Sequence, residues 1–124
     1  MTVVSPSKTS TFDIPGVTFT GLAAPSRGAR ENAVWRVRML PGTPPNPHRL
    51  TREEVIVAVS GNARVLIDGV ESELPEGSAV IVPPDTEFSL FNPGQTMFEA
   101  IAVLPVGGKA ILPDAPPFTP PWAE

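Results

Sequence analysis

Hydrophobic and polar residues alternate with a period of two along much of the chain, which is the pattern of half-buried β-strands. The clearest case is the segment Ala33–Leu40, where Trp35 and Val37 fall on one face and Arg36 and Arg38 on the other. Arginines facing solvent are the simpler interpretation of this strand. The alternative is that Arg36 and Arg38 line a pocket and contact an anionic ligand.

Turn signals divide the chain into about nine short predicted strands. Asp68-Gly69 is the strongest hairpin signal, because both central residues of a tight hairpin turn need positive φ. Pro93 and Gly94 predict a type II turn. The predicted strands are Thr11–Ile14, Val17–Leu22, Ala33–Leu40, Glu54–Ser60, Ala63–Ile67, Val70–Leu74, Ala79–Val82, Glu87–Phe91 and Met97–Leu104. With no helix or internal repeat in the pattern, an all-β sandwich or barrel follows.

Composition agrees with this fold class. The 124 residues include 17 prolines and 10 glycines, which leave little room for long helices. A hydrophobic fraction of 41% excludes simple disorder. We therefore expect a single domain over residues 1–124, with a loose N-terminal arm at 1–10 and an extended proline-rich tail at 113–124. Phe118 and Trp122 are expected to hold the tail against the outside of the barrel.

Several function classes are disfavoured. There is no cysteine, so a disulfide framework and a thiolate metal site are both excluded. The net charge of −4 is scattered, which argues against nucleic acid because phosphate binding needs a basic stripe. No apolar run approaches the roughly 20 residues of a membrane span, and the N-terminus shows no signal peptide. A soluble cytoplasmic protein is the default expectation.

Two motifs make the fold prediction more specific. The spacing Gly42-x5-His48-x-Leu50-x3-Glu54-x6-Gly61 resembles the first cupin motif, G-x5-H-x-H-x3-E-x6-G, with leucine at the second histidine. Residues 77–92 resemble the second motif, G-x5-P-x-G-x2-H-x3-N. There, Asp85 replaces the glycine and Phe88 the histidine. The two motifs, at 42–61 and 77–92, are similar in spacing to those of small single-domain cupins. The resemblance implies a jelly-roll β-barrel.

In the cupin family, two histidines and a glutamate of the first motif and a histidine of the second bind a divalent metal. The resemblance places these roles at His48, Leu50, Glu54 and Phe88, of which two are hydrocarbon. A divalent ion needs about four to six N, O or S donors. We therefore expect a degenerate metal site and no cofactor. A weakly bound divalent metal at His48 and Glu54, helped by Glu87 or Glu99 and water, remains open.

The remaining polar groups suggest an acid/base site in an apolar pocket. His48 and Glu54 are the candidate catalytic pair, because an imidazole beside a carboxyl group can pass a proton. Such a pair suits isomerase, epimerase, dehydratase or cyclase chemistry. The residues expected to line the ligand pocket are Trp35, Leu50, Ile56, Phe88 and Leu90. Three alternatives stay open at this point: a metal-independent enzyme, a metal-dependent cupin built on His48 and Glu54, and a non-catalytic ligand sensor or structural protein.

Two further expectations concern contacts at the surface. Arg49 and Arg52 flank the first motif and are expected to pair with Glu53 or Glu54, or to attract an anionic substrate. The resemblance also implies a homodimer that forms through edge strands. The strand Thr11–Ile14 is a candidate for exchange between subunits, because bare sheet edges tend to be covered.

Overall fold

The structure is a computed structural model that describes all of residues 1–124, and regular structure is almost entirely β. There is no α-helix; three short 3-10 turns lie at Pro6–Lys8, Pro25–Arg27 and Pro121–Ala123. No helical segment is long and apolar enough to cross a membrane. The strands are β1 Ser10–Ile14, β2 Val17–Ala23, β3 Asn32–Met39, β4 Arg49–Leu50, β5 Glu54–Ser60, β6 Ala63–Ile67, β7 Val70–Leu74, β8 Ala79–Val82, β9 Phe88–Phe91, β10 Phe98–Pro105 and β11 Ala110–Ile111.

The strands form two antiparallel layers. The larger layer is a six-stranded sheet in the order β1-β2-β3-β10-β5-β8. The smaller layer contains β7-β6-β9 and the short pair β11-β4. A bridge between His48 and Phe88 joins β4 to β9, so the smaller layer runs β11-β4-β9-β6-β7. This crossed order of non-consecutive neighbours is that of a jelly-roll barrel, which confirms the predicted all-β fold.

The core lies between the two layers and follows the period-two pattern. On β10, Phe98, Ala100, Ala102 and Leu104 are each at most 1% exposed, while the residues between them are partly exposed. Residues from both sheets join in one contiguous hydrophobic cluster. Because each fully buried large aliphatic or aromatic side chain contributes about 1.5–3 kcal/mol, this cluster is the main source of stability.

Turn geometry explains two of the sequence signals. Asp68 and Gly69 have φ of 47° and 81°, so the predicted hairpin turn is confirmed. Gly61, at the end of the first motif, has φ of 78°, and a Cβ there would overlap the carbonyl oxygen of Met97. Glycine is therefore explained here by the backbone conformation and the close approach of Met97, and not by a functional role.

Strands β5, β6, β7 and β8 have the predicted ends, and the other predicted strands differ by one residue at one or both ends. The structure adds β4 and β11, which contain two residues each. Two residues are too few to show a period, which is why the sequence pattern missed them. The arm at 1–10 contains the 3-10 turn at Pro6–Lys8 and the first residue of β1.

The prediction that the C-terminal tail lies on the outside of the barrel is wrong for Trp122. Its ring stacks on Phe19, with 3.8 Å between ring centroids and planes 4° apart. Phe19 lies across from Val37, and Val37 belongs to the core, so Phe19 faces inward. Trp122 is packed against the same core, and Ala123 is only 6% exposed. The end of the tail therefore closes the inner face at β2 and β3, while Phe118 is 38% exposed.

Candidate functional site

His48 sits at the entrance of the smaller sheet, immediately before β4. It exchanges backbone hydrogen bonds with Phe88, and the two rings lie 4.4 Å apart by centroid. The Nδ1 atom is 2.9 Å from the carbonyl oxygen of Asn46. A carbonyl oxygen only accepts, so Nδ1–H donates this bond and Nε2 keeps its lone pair. The geometry therefore selects the tautomer in which Nε2 can act as a base.

The protonation state of His48 follows from its surroundings. Burial lowers the pKa of His48 below its ordinary value, and the hydrogen bond to the Asn46 carbonyl only partly opposes this shift. The imidazole is consequently neutral at pH 7.

Glu54 is the first residue of β5 and points to the inner face of the larger sheet, across from Val82. Its side chain is only 6% exposed, and no hydrogen bond or ion pair is formed with it. Burial without a partner raises the pKa of Glu54 to about 8. At pH 7 this residue is mainly a neutral carboxylic acid, able to donate a proton.

His48 and Glu54 both face the barrel interior, from opposite sheets, but no ion pair or hydrogen bond joins them. The sequence predicted an imidazole beside a carboxyl group, whereas the structure has two separate neutral groups, a base and an acid. Their opposite pKa shifts have one cause, which is removal from water. Environments that move two titratable groups in opposite directions are typical of acid/base sites.

The residues predicted to line a ligand pocket lie mostly in the packed core. Trp35, Leu50, Ile56 and Phe88 are between 2% and 4% exposed and belong to one contact cluster. Leu90 is partly buried and packs against it. These side chains fill the barrel beneath His48, so open space for a ligand lies nearer the surface.

That open space is a groove of about 700 Å³ at the mouth of the barrel. One wall is formed by Pro47, His48, Arg49 and Glu87, and the other by the tail segment 111–115. The groove therefore pairs polar groups of the first wall with a tail wall that is apolar except for Asp114. Sequence reasoning missed the tail wall, and the only available signal was the apolar pair Ile111-Leu112 followed by Pro113.

A salt bridge ties the two motifs together beside this groove. Arg49 Nη1 lies 2.7 Å from Asp85 Oδ1, so the predicted pairing of Arg49 with Glu53 or Glu54 is wrong. Asp85 replaces the motif glycine and has φ of 56°, the left-handed conformation that this turn requires. The backbone N–H of Asp85 also donates to the Leu50 carbonyl, at 2.8 Å. The mouth of the barrel is thus braced across both motifs.

Arg36 and Arg38 lie on the outer face of β3, opposite to Trp35. Both pair with Glu99 of β10, Arg38 at 2.8 Å and Arg36 at 3.7 Å. The alternative that these arginines line a barrel pocket for an anion is therefore wrong. Glu99, considered as a helper in a weak metal site, is likewise on the outside, whereas Glu87 reaches the groove.

The donor set does not fit the divalent metal that the family motifs imply. Leu50 and Phe88 offer only hydrocarbon, so Nε2 of His48 and the carboxyl group of Glu54 are the donors that remain at the four motif positions. No group of three or more histidine, cysteine or acidic side chains comes together anywhere in the chain. One imidazole and one carboxyl group leave most of a coordination shell without protein donors.

Comparison with known proteins agrees with the fold and the motifs. The sequence model of the Cupin domain family matches residues 35–104. No curated protein matches the chain significantly in sequence.

Among solved structures, an RmlC-like cupin from Shewanella frigidimarina has a TM-score of 0.71 at 22% identity, over 83% of this chain and 88% of that one. The polyketide cyclase RemF from Streptomyces resistomycificus has a TM-score of 0.70 at 20% identity, over 85% and 79%. KdgF from Halomonas sp. has a TM-score of 0.69 at 19% identity, over 83% and 93%. At these identities the likeness concerns the fold.

Proposed function

This chain belongs to the cupin domain family, and on that premise we propose that it binds a small carbonyl compound at the barrel mouth and moves a proton on it without a metal ion. His48, in the wall of the groove, is the general base, and Glu54, which is buried on β5 and is not part of the groove lining, is the general acid for a carbonyl group that reaches inward past His48. The observation that carries this proposal is geometric: His48, opposite Phe88, and Glu54, opposite Val82, point into one interior from the two sheets. Burial supports it by lowering the pKa of His48 and raising that of Glu54, which favours a neutral base and a neutral acid at pH 7.

The chemistry balances with these two groups alone. Nε2 of His48 takes a proton from the carbon next to the carbonyl, while the Glu54 carboxylic acid donates its proton to the carbonyl oxygen. The product is a neutral enol, and His48 and Glu54 end as imidazolium and carboxylate. Returning the proton to a different carbon, or to the other face, gives an isomer or an epimer. Loss of a β-hydroxyl group or attack on a second carbonyl gives dehydration or cyclisation.

The surroundings favour a ligand that is neutral near Glu54 and polar at its outer end. A carbonyl oxygen can accept a hydrogen bond from the protonated Glu54, whereas an anion beside that buried group would gain no compensating cation. The groove adds a tail wall that is apolar except for Asp114, with Glu87 and Arg49 on the facing side. RemF, described as a polyketide cyclase, is a structural neighbour, so a cyclase is known on a similar fold.

Non-catalytic binding is the second candidate, because the packed core beneath His48 and the missing His48–Glu54 bond also suit a ligand-binding protein. An assay of proton exchange distinguishes catalysis from binding alone. We would incubate the protein in D₂O with a panel of small ketones and β-keto acids and follow exchange of the α-hydrogens by NMR. We expect catalysed exchange that falls roughly 10²–10⁴-fold in His48→Ala and in Glu54→Gln.

Glu73→Gln, on the outer face of the smaller sheet, is the matched control and should exchange at the wild-type rate. The protein should be purified without metal-affinity resin and dialysed against EDTA. Exchange that returns only on adding a divalent metal would support the metal-dependent alternative. Ligand-induced NMR shifts around the groove without any exchange would support binding alone.

The pH dependence is a second test. The base must be deprotonated, which requires a pH above the lowered pKa of His48, and the acid must be protonated, which requires a pH below about 8. The exchange rate should therefore follow a bell-shaped curve whose alkaline limb lies near pH 8. Replacing Glu54 by glutamine should remove that limb, and a limb that survives in this variant would contradict the role of Glu54.

A further inference from the structure

The groove at the barrel mouth has an unbalanced charge. Its lining includes two acidic residues, Glu87 and Asp114, and one basic residue, Arg49. The guanidinium of Arg49 is already paired, since Nη1 lies 2.7 Å from Oδ1 of Asp85, which is not part of the lining. Glu87 and Asp114 take part in none of the ion pairs of the chain. The groove therefore offers two carboxylates that have no cationic partner.

The two carboxylates come from opposite walls. Glu87 lies on the wall of His48, and Asp114 lies on the tail wall. The tail wall is a loop whose ends are fastened together, because Ala110 and Phe118 exchange backbone hydrogen bonds of 2.8 and 3.0 Å. Asp114 has φ of 61° in this loop, a conformation that aspartate and asparagine adopt more readily than most other non-glycine residues. The fold of the tail thus holds Asp114 across the groove from Glu87.

The rest of the groove does not oppose a positive charge. His48 is neutral because burial lowers its pKa, so the imidazole does not repel a cation at pH 7. The other lining residues carry no charge: Pro47, Ile111, Leu112, Pro113 and Ala115. A cleft that is lined by one sign of charge between apolar walls focuses the field and raises the local concentration of ligands of the opposite sign. An anionic ligand would be repelled by both carboxylates.

An organic cation fits this arrangement better than a metal ion. No three histidine, cysteine or acidic side chains come together to hold a metal, so Glu87, Asp114 and His48 do not form a shared ion site. Magnesium and calcium ions need about six or more ligands, most of them oxygen atoms. An ammonium group needs only an acceptor for each N–H donor, and its alkyl carbons can pack against Ile111 and Leu112.

We propose that the groove binds a ligand with an aliphatic ammonium group, which Glu87 and Asp114 hold at the outer end. This inference rests on the proposed function for the other end of the ligand, where the carbonyl group reaches inward past His48. The substrate class is then an aliphatic amino ketone or amino aldehyde. Glu87 and Asp114 are specificity residues, because they contact the ammonium group and take no part in the proton transfer.

The test compares three methyl ketones that share a spacer of three methylene groups and end in a dimethylammonium, a methyl or a carboxylate group. Their dissociation constants are measured by NMR titration of the full chain, purified without metal-affinity resin and dialysed against EDTA. An exposed ion pair strengthens binding up to about fivefold, so the ammonium ketone should bind about 5- to 25-fold more tightly than the methyl ketone. The carboxylate ketone should bind most weakly. The preference should shrink as NaCl is added, because salt screens exposed charges.

Two amide variants identify the residues responsible. Glu87→Gln and Asp114→Asn each remove one charge and keep the shape of the side chain, and asparagine tolerates the positive φ of Asp114. Each variant should bind the ammonium ketone up to about fivefold more weakly, and the double variant should lose the preference. Affinity for the methyl ketone should stay unchanged. Glu73→Gln removes the same charge from β7 of the smaller sheet and is the matched control, which should keep the preference.

The outcomes separate this inference from the proposed function. Equal affinity for the ammonium and methyl ketones, tighter binding of the carboxylate ketone, or a double variant that keeps the preference would overturn the ammonium site. Exchange of the α-hydrogens in D₂O is followed with the same ketones. Exchange without a charge preference would overturn the ammonium site alone, whereas a preference without exchange would support it and overturn the catalytic roles of His48 and Glu54. If none of the three ketones binds at millimolar concentration, both proposals are overturned.

Discussion

The two faces of the six-stranded sheet each hold a glutamate, and the two residues behave very differently. Glu54 points inward, is 6% exposed, has no partner and has its pKa raised to about 8. Glu99 points outward and pairs with both Arg36 and Arg38. The same residue type thus serves as a neutral acid on one face and as a charged surface partner on the other.

Parity decides which role each carboxyl group has. Neighbouring residues on a strand point to opposite faces, so a shift of one position exchanges a hydrocarbon environment for water. Outside, two arginines and solvent stabilise the carboxylate; inside, only protonation relieves the desolvation of Glu54. Acid/base chemistry is therefore expected of a carboxyl group on the inner face and not of one on the outer face.

The largest expected effect concerns Glu54 and pH. The unfolded chain has the ordinary glutamate pKa of 4.5 and the folded chain about 8, so folding binds a proton between these values. Because the folded pKa is raised, the contribution of Glu54 to stability is fully present below pH 4.5. This contribution is lost as the pH rises to about 8. The total loss is roughly 5 kcal/mol at about 1.4 kcal/mol per pKa unit.

Glu54→Gln should remove this dependence, which urea unfolding at pH 5 and pH 9 would measure. Between pH 5 and pH 9, the free energy of unfolding of the wild type should fall by several kcal/mol more than that of the variant, as linkage predicts. His48 titrates in both proteins, so its contribution cancels in the difference. Glu73→Gln is the exposed control, and parallel curves for wild type and Glu54→Gln would show that Glu54 is ionised in the folded state.

The next effect tests whether the inner face is core or cavity. Ile56 is 3% exposed, and Ile56→Ala should cost about 2–5 kcal/mol because it removes packed atoms and leaves a void. Val70→Ala, at 67% exposure, should cost less than about 0.5 kcal/mol. Denaturant unfolding at one pH compares the two. A cost below about 1 kcal/mol for Ile56→Ala would mean that this part of the barrel is a ligand cavity, as the sequence had predicted.

The smallest effect is expected on the outer face. Glu99→Gln breaks both ion pairs, but the arginine side chains are 42% and 50% exposed, so water and salt already screen them. The expected cost is at most about 1 kcal/mol. Unfolding in low and high NaCl should show this cost shrinking as salt is added. A salt-independent loss of about 3 kcal/mol would indicate that the pairs are shielded from solvent, contrary to a simple surface role.

Much of the fold could be read from the sequence, because its signals are local. Period two fixed the inward residues of β3, and Asp68-Gly69 fixed one hairpin by its need for positive φ. The spacing of the two motifs led to the cupin family and to His48 and Glu54 as the polar groups of the proposed site. Asn92 at the end of the second motif is also explained, since its buried amide donates to the carbonyls of Met39 and Thr96.

Only the tertiary structure decided the environment of those residues. It buried Glu54 without a partner, joined Arg49 to Asp85 and brought the segment 111–115 against His48. It also turned Trp122 inward onto Phe19, although the tail sequence suggested an outside contact. The physical reason is range: strand parity and turns depend on a few neighbouring residues, whereas desolvation, ion pairing and the walls of a groove depend on residues brought together from distant parts of the chain.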